Sequence, residues 1–356
     1  MSGSENDAVL DGIRGLKAKF GRRILIAAHH YQSLDVVALS DIVGDSYALA
    51  RLALASEAEF IILCGVLFMA ESAAILAREG QVVLSPDPGA GCPMADMIDR
   101  RSMEASLDAI RSATGSSAAP IVYMNSTAGT KALAGERDGS VCTSGNAAAV
   151  VRALSSRGRP IFFAPDRNLG ANTAAALGLD PRRVFLVGAD RSIRGTGNPA
   201  EGLLFLWDGF CCVHKRFTVA DVAAARAASP GVRVIVHPEC DPEVVEAADD
   251  SGSTERLWQL AAEASPRSSF AVGTESNFVR RLAAAFPDRT VAPLRESPCL
   301  SMSRITAASL FRSLESIRDA ALGKGRLVHE VTIDEISRAN ASKALKAMIA
   351  LTEAGR

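Results

Sequence analysis

Short continuous apolar runs recur along the chain, and each is followed by a polar phrase and then by a stretch with helical spacing. Apolar runs without alternation are typical of strands buried on both faces of a parallel sheet. The predicted strands are RILIAA (23–28), EFIILCGV (59–66), QVVLSPD (81–87), PIVYMN (120–125), PIFFAPD (160–166), RRVFLVG (182–188), LLFLWDG (203–209), RVIVHPE (233–239), SFAVGTE (269–275) and TVAPL (290–294). The stretches between them, such as DVVALSDIVGDSYALARLALAS and FMAESAAILAREG, are predicted to be amphipathic helices. This alternation predicts an α/β fold with parallel sheets.

The strand runs fall into three groups, and each group ends just before a cysteine in a polar phrase. The phrases are AGCPMAD, WDGFCCVH and ESPCLSM, with Cys92, Cys211 and Cys299. The first spacing is about thirty residues longer than the second, so we predict an insert around LGLDPRRVFLVGADRSIRGTGNPAEG. The pattern resembles an internal triplication and predicts three similar α/β domains. Their predicted ranges are 1–103, 104–218 and 219–302.

The segment after the third group is predicted to be a helical tail, residues 303–356, that packs on the core. SMSRITAASLFRSLESIRDAAL has the spacing of an amphipathic helix that Gly323 and Gly325 end. RLVHEVTI is predicted to form a short strand. DEISRANASKALKAMIALTEA is predicted to be the last helix, with Asp334 near its start.

Composition and charge predict a globular, soluble, cytoplasmic protein. The 39 Lys and Arg residues nearly balance the 40 Asp and Glu residues, so net charge gives no reason to expect binding to nucleic acid or an anionic membrane. The N-terminus lacks the apolar core of a signal peptide. The most apolar stretch, 60–70, is about half the ~20 residues that cross a bilayer.

Seven cysteines in a chain without an export signal indicate reduced thiols. The chain has no C-x-x-C pair, so zinc ribbons and thioredoxin-like motifs are not expected. Cys64 is predicted to be a buried apolar residue, and Cys142 and Cys240 are predicted to be structural. Because successive side chains usually diverge, only one of Cys211 and Cys212 should reach a shared metal. Three distant thiols that meet could hold an iron–sulfur cluster and leave one iron without a protein ligand.

Polar side chains cluster where the strand runs end, which is where open parallel sheets bind their ligands. The imidazole and carboxylate of HPE (237–239) share one face of an extended segment, as acid–base chemistry requires. CTSGNA and GSTERL place hydroxyls before helices, where they either cap the helix or bind phosphate or carboxylate. The strand-end residues are His29, His30, Tyr31, Tyr123, Asn125, Asp166, His237, Glu239, Thr274 and Glu275.

Taken in order, these phrases resemble those of the quinolinate synthase family, in its longer form. The matching phrases are AHHYQ, GDSYALAR, CGVLFMAE, AGCPMAD, YMNSTAGTKA, CTSGNA, PDRNLG, CCVHKRF, VIVHPEC, GST, VGTE and CLSM. They cover residues 24–302, and the tail phrase EVTIDEISRANASKAL also fits. A dozen motifs in a fixed order are far more specific than any one of them.

The resemblance implies three three-layer α/β/α domains around a pseudo-threefold axis, with a [4Fe–4S] cluster at their junction. It implies Cys92, Cys211 and Cys299 as the ligands, and an open iron that acts as a Lewis acid. The implied reaction condenses iminoaspartate with dihydroxyacetone phosphate to quinolinate, phosphate and water in NAD biosynthesis. These small molecules are the implied partners, with a functional link to the enzyme that supplies iminoaspartate.

The resemblance also implies roles for individual residues. Glu239 is the implied general acid/base, with His29, Tyr31 and His237 as further catalytic groups. His214 matches a family histidine near the cluster. The implied substrate-binding residues are His29, Ser46, Tyr123, Asn125, Ser144, His237, Glu239, Ser253 and Thr254.

Leu67, Ala74 and residues 300–305 depart from the commoner wording of the family motifs. Two alternatives therefore stay open at this point. One is a divergent paralogue that makes a related pyridine carboxylate, and the other is a protein with a structural metal site and no catalysis.

Overall fold

The structure, a computed structural model, describes residues 3–354. The chain divides into two compact units. The first unit is Met1–Cys92 with Pro298–Ile333, and the second is Pro93–Ser297 with Asp334–Arg356. The predicted boundaries at 103, 218 and 302, and the predicted pseudo-threefold axis, stay predictions.

Helices and strands alternate along most of the described chain. The helices are α1 (Gly3–Phe20), α2 (Leu34–Leu39), α3 (Ser46–Ala55), α4 (Leu67–Leu76), α5 (Arg100–Thr114), α6 (Ala128–Glu136), α7 (Ala147–Ser155), α8 (Arg167–Ala176), α9 (Val219–Ala228), α10 (Pro242–Ala247), α11 (Thr254–Glu263), α12 (Ser276–Ala285), α13 (Ala307–Ala321) and α14 (Glu335–Ala354). The strands are β1 (Ile24–His29), β2 (Ile42–Gly44), β3 (Phe60–Cys64), β4 (Val82–Leu84), β5 (Ala119–Tyr123), β6 (Ser140–Cys142), β7 (Ile161–Ala164), β8 (Val184–Val187), β9 (Ile193–Arg194), β10 (Leu204–Trp207), β11 (Arg233–Val236), β12 (Asp250–Ser251), β13 (Ser269–Gly273) and β14 (Thr290–Pro293).

These strands form three sheets with one shared strand order. The sheets run β2-β1-β3-β4, β6-β5-β7-β10-β8-β9 and β12-β11-β13-β14. We call the segments that form them repeats 1, 2 and 3. In each repeat the first strand lies between the second and third strands and is parallel to both. The α/β fold class is confirmed, and the common strand order is what an internal triplication would produce.

All ten apolar runs form strands, and the predicted insert accounts for the extra width of the middle sheet. The insert supplies β8 and β9, which extend the sheet beyond β10. The sheets are parallel as predicted, except at this edge, where β9 pairs with β8 in the antiparallel direction. A short return of the chain makes such a pairing possible, whereas a parallel pair needs a longer crossover.

Two predicted segments in the first unit fold differently from expectation. The stretch DVVALSDIVGDSYALARLALAS is not one helix but α2, β2 and α3. Asp41 explains the break, because its Oδ2 accepts a hydrogen bond from the Ile26 N–H of β1 at 2.8 Å and holds the chain beside that strand. Helix α4 is not amphipathic, since seven of its ten residues are buried: Phe68, Met69, Ala70, Ser72, Ala73, Ile75 and Leu76.

The predicted strand in RLVHEVTI is also wrong. This segment forms a single antiparallel bridge, between Leu84 and Glu330, at the edge of the first sheet. His329 has φ of 59°, in the left-handed region, and this interrupts the extended backbone that a strand needs.

The two long helices of the predicted tail lie in different units, and each packs within its own unit. In the first unit, Leu310 and Leu314 of α13 join Ile13 of α1 in one apolar cluster. In the second unit, α14 lies along α6 and β6. Asp334 caps α14, as expected, because its Oδ1 accepts a hydrogen bond from the Ser337 N–H at 2.9 Å. Within residues 3–354, no helix combines the length and apolar character that crossing a membrane requires.

The approach of α14 to α6 depends on a glycine. A Cβ atom on Gly135 would lie 1.9 Å from the Asn340 carbonyl oxygen, which is backbone and cannot rotate away. We expect Gly135→Ala to lower the free energy of unfolding by about 1–3 kcal/mol, because α14 must shift. Chemical denaturation measures this change.

Gly129→Ala is the matched control on the same helix. A Cβ atom there has no neighbour closer than 3.9 Å, so the substitution should be neutral or stabilise the protein by up to about 1 kcal/mol. Equal effects of the two substitutions would contradict the close packing of α6 and α14.

Candidate active site

The predicted site residues occupy equivalent positions in the three repeats. The last pairs between first and third strands are Ala28↔Cys64, Val122↔Ala164 and Val236↔Gly273. The residues that follow on the first strands are therefore equivalent: His29, Tyr123 and His237. Two residues further on lie Tyr31, Asn125 and Glu239.

The second strands give another equivalent set. His29 pairs with Gly44, and Tyr123 pairs with Cys142. In repeat 3 the last pair is Val236↔Ser251, so the same register continues to His237 and Gly252. Two residues beyond these partners lie Ser46, Ser144 and Thr254. Nine of the predicted site residues thus fall on three positions, each repeated three times.

Three of the cysteines also share one position. A 3-10 helix begins three residues after each of Cys92, Cys211 and Cys299, at Ala95–Met97, His214–Arg216 and Met302–Arg304. The capping residues of the next helices, Asp99, Thr218 and Thr306, each follow their cysteine by the same seven positions. Cys212 is out of this register, which favours Cys211 as the equivalent thiol.

Repeats 2 and 3 meet in the second unit around the buried Glu239 carboxylate. The Tyr123 hydroxyl donates a hydrogen bond to Glu239 Oε1 at 2.5 Å. His214 Nδ1 lies 2.8 Å from Glu239 Oε2, and its Nε2 lies 3.0 Å from Thr274 Oγ1. Both carboxylate oxygens and both nitrogens of this imidazole therefore have hydrogen-bond partners.

His237 lies beside this network in a fixed orientation. Its ring stacks on that of His214, with 4.4 Å between centroids. The Glu239 N–H donates to His237 Nδ1 at 3.3 Å, so the ring proton belongs on Nε2, which lies 3.2 Å from Ser144 Oγ. In the first unit the Tyr31 N–H donates to His29 Nδ1 in the same way, at 3.2 Å. The two equivalent histidines thus have the same tautomer.

Burial and hydrogen bonding set the charges in this site. Burial opposes ionisation of Glu239, but the adjacent His214 imidazole and the hydrogen bonds to the carboxylate outweigh it, so the pKa of Glu239 lies well below its ordinary value. Burial, and then the neighbouring His214, lower the pKa of His237 to about 3. Burial and the charge of Glu239 raise the pKa of Asp166 well above its ordinary range. At neutral pH the site therefore combines the ionised carboxylate of Glu239 with the neutral imidazole of His237.

Two hydroxyl-rich helix starts lie close to His237. Ser144 precedes α7, and Ser253 caps α11 by accepting a hydrogen bond from the Arg256 N–H. A Cβ atom on Gly145 would lie 3.4 Å from Ser253 Oγ, so the two helix starts are neighbours. Hydroxyls and helix N-termini are suited to binding carboxylate or phosphate oxygens.

One group of side chains in the described residues could hold a metal ion. Ligand atoms of Cys211, His214 and Glu239 lie within 4.8 Å of one another. Its three ligand types are a thiolate, an imidazole and a carboxylate, and proteins use all three for transition metals.

The remaining predicted residues lie in the first unit. His29 ends β1 and is buried, and its ring meets that of Tyr31 edge-on with 4.7 Å between centroids. Ser46 begins α3. Cys92 and Cys299 are partly exposed in the loops before their 3-10 helices.

Two side chains that contact the site have no counterpart among the sequence predictions. Asn168 and Asn172 are buried on α8 and donate hydrogen bonds to the loop that carries Glu239. The sequence feature that could have indicated them is the spacing of four residues between the two asparagines in PDRNLGANT, which places both amides on one face of the helix.

The chain is similar to known proteins over nearly its whole length. A family model described as Quinolinate synthetase A protein matches residues 11–350. The chain is 41% identical over 349 residues to the quinolinate synthase of Geobacillus kaustophilus, covering 95% of this chain and 92% of that protein. It is 41% identical over 357 residues to the quinolinate synthase of Corynebacterium glutamicum, covering 99% and 89%. It is 38% identical over 341 residues to the quinolinate synthase of Listeria monocytogenes, covering 95% and 92%.

The burial of three other cysteines predicts a pattern of thiol reactivity. Burial raises the pKa of Cys64 to about 12 and raises the pKa values of Cys142 and Cys240. Because the thiolate is the reactive form, iodoacetamide at pH 8 should alkylate these three at least about 100-fold more slowly than the exposed Cys212.

Peptide mapping by mass spectrometry at timed intervals measures these rates. In urea all three should become reactive. Fast alkylation of Cys64 in the native protein would contradict its placement inside the first sheet.

Proposed function

The chain belongs to the quinolinate synthetase A family, and we propose that it condenses iminoaspartate with dihydroxyacetone phosphate to quinolinate, phosphate and water in NAD biosynthesis. The observation that carries this proposal is the buried Glu239 carboxylate, which accepts hydrogen bonds from Tyr123 and His214. A condensation of this kind removes and returns protons at carbon, nitrogen and oxygen, and a positioned carboxylate performs that task.

We further propose that Cys92, Cys211 and Cys299 hold a [4Fe–4S] cluster. The donor chemistry fits, because thiolates are the usual ligands of such clusters. Their equivalent positions in the three repeats support one shared role. When bound, the cluster would supply a Lewis acid at the iron that has no protein ligand.

The group formed by Cys211, His214 and Glu239 does not need a metal to explain its geometry. Both nitrogens of His214 already lie within hydrogen-bond distance of oxygens, on Glu239 and Thr274. The second Glu239 oxygen accepts from Tyr123. We therefore assign Cys211 to the proposed cluster and the other two to hydrogen bonding beside it.

The substrates are anions, and the hydroxyls near His237 are suited to bind them. We propose that Ser144, Ser253 and Thr254 bind carboxylate or phosphate oxygens through their hydroxyls and the helix N-termini behind them. His237 carries its proton on Nε2 and would donate to the same anion. We keep Ser46 and Asn125 as further substrate-binding residues, and His29 and Tyr31 as proton-transfer groups. By repeat, Ser46 is equivalent to Ser144 and Thr254, His29 is equivalent to His237, and Asn125 and Tyr31 are equivalent to Glu239.

Glu239 is the proposed general base and acid. Its lowered pKa keeps it ionised at neutral pH, so it can accept a proton from the substrate. The Tyr123 hydroxyl holds Oε1, and His214 holds Oε2, so the carboxylate has one orientation. These two groups also stabilise the charge that returns when Glu239 gives its proton back.

The first test uses protein purified without oxygen. We expect a brown protein that absorbs broadly near ~400 nm and forms quinolinate, identified by mass. Cys92→Ser, Cys211→Ser and Cys299→Ser should each lose this absorbance, because each removes a cluster ligand. Cys212→Ser is the matched control and should keep both colour and activity.

The other outcomes identify the alternatives. A colourless, zinc-loaded protein without activity would support a structural metal. Formation of a different pyridine carboxylate would support a divergent paralogue. Loss of the cluster in Cys212→Ser but not in Cys211→Ser would show that the ligand assignment is wrong by one residue.

The second test concerns Glu239. We expect Glu239→Gln to lower kcat by about 10²- to 10⁴-fold while iron content and absorbance stay unchanged, because the amide cannot act as a base. Glu243→Gln, on the exposed start of α10, is the control and should be near wild type. Retained turnover in Glu239→Gln would remove Glu239 from the acid–base role.

A further inference from the structure

Two buried asparagines on α8 hold the loop that carries Glu239. Asn168 Nδ2 donates to the Glu239 carbonyl oxygen at 3.2 Å and to Asp241 Oδ1 at 3.0 Å. Asn172 Nδ2 donates to the Pro238 carbonyl oxygen at 2.8 Å and to the Cys240 carbonyl oxygen at 2.9 Å. Two side-chain amides, one helical turn apart, thus bind three consecutive backbone carbonyls. We call this pair the asparagine clamp.

The clamp uses all the donors that the two amides have. A side-chain NH₂ group carries two hydrogens, and each asparagine makes two hydrogen bonds with it. Both side chains are at least nine-tenths buried, so loss of either would leave carbonyl groups without a donor in a region where water does not replace it easily. Four bonds to one short loop fix its position closely.

The clamp joins two repeats. Helix α8 belongs to repeat 2, which also supplies Tyr123, whereas the loop 237–241 belongs to repeat 3. The hydrogen bond from Tyr123 to Glu239 spans the same boundary. A shift of the loop relative to α8 would therefore also change the distance from the Tyr123 hydroxyl to the carboxylate.

The equivalent helices of the other repeats lack this pair. The N-cap residues Val66, Asp166 and Glu275 are equivalent, because each lies two residues past the last pair of its third strand. Counting from them, the positions of Asn168 and Asn172 are occupied by Phe68 and Ser72 in repeat 1, and by Asn277 and Arg281 in repeat 3. Among the three equivalent helices, the asparagine pair occurs on α8, which contacts the loop that carries Glu239.

We propose that Asn168 and Asn172 are positioning residues, which act on the reaction through Glu239 by fixing its carboxylate against Tyr123 and His214. This inference rests on the proposed role of Glu239. The asparagines do not contact the reacting atoms. Their effect is on geometry, and a displacement of about 1 Å at a catalytic group can cost about 10²-fold in rate.

The kinetic test uses Asn168→Ala in the anaerobically purified protein. We expect kcat to fall about 10- to 100-fold and KM for both substrates to rise by a smaller factor, at most about 5-fold, with iron content unchanged. The anion-binding hydroxyls stay in place, whereas His237 lies on the loop that loosens. Asn277→Ala, at the equivalent position of repeat 3, is the matched control and should keep wild-type kcat.

A double-variant cycle separates positioning from a general loss of structure. In the Glu239→Gln background, Asn168→Ala should lower the remaining kcat by less than about 2-fold, because residues that act through one group are not additive. Full additivity of the two losses would overturn the proposal. So would a rise in KM with unchanged kcat.

A third measurement does not depend on activity. Peptides covering 237–241 should exchange their amide hydrogens about 10-fold or more faster in Asn168→Ala and Asn172→Ala, whereas Asn277→Ala should leave them unchanged. If Asn172→Ala does not fold, Asn168→Ala carries the test, since only one of its bonds is to a backbone carbonyl. Unchanged exchange in Asn168→Ala would overturn the clamp. If the wild-type protein makes no quinolinate, the proposed function fails while the exchange result still decides the clamp.

Discussion

A buried carboxylate whose two oxygens are held by groups from separate elements constrains the whole second unit. Glu239 is ionised in the interior, and an unpaired charge there would be prohibitively costly. Tyr123 at the end of β5 and His214 in a 3-10 helix must therefore both reach it. This requirement fixes where the end of β5 lies relative to the end of β11, and it fixes the position of the segment after Cys211. The asparagine clamp on α8 holds the loop that carries this carboxylate.

Most of the fold could be predicted from the sequence because most of its strands are buried on both faces. Ten apolar runs were long enough to be recognised, and the same signal failed for β2, β6, β9 and β12, which have only two or three residues. Helix α4 shows the opposite limit. Most of its surface is buried, so apolar residues occur around most of the helix and are not confined to one face. The strand predicted in RLVHEVTI failed because a left-handed backbone at His329 is not visible in residue type.

Part of the site could be predicted because its residues follow the ends of parallel strands. Side chains that follow parallel strands lie at one edge of the sheet, so His237 and Glu239 could be expected near hydroxyls such as Ser144. The choice of Cys211 over Cys212 rested on resemblance, and the register of the 3-10 helices and caps now gives it a structural reason. Asn168 and Asn172 were not predicted, because most of their hydrogen-bond partners are backbone carbonyls. Every residue has a backbone carbonyl, so the sequence does not show which of them a side chain binds.

The common strand order of the three repeats has a consequence for stoichiometry. A fold built by triplication contains three copies of any residue that all three repeats retain. A [4Fe–4S] cubane has four iron corners, so a set of three thiolate ligands leaves one iron without a protein ligand. In the proposed cluster, the iron left for chemistry would then require no lost or mutated ligand. It would follow from the difference between the three cysteines that the repeats supply and the four irons of the cluster.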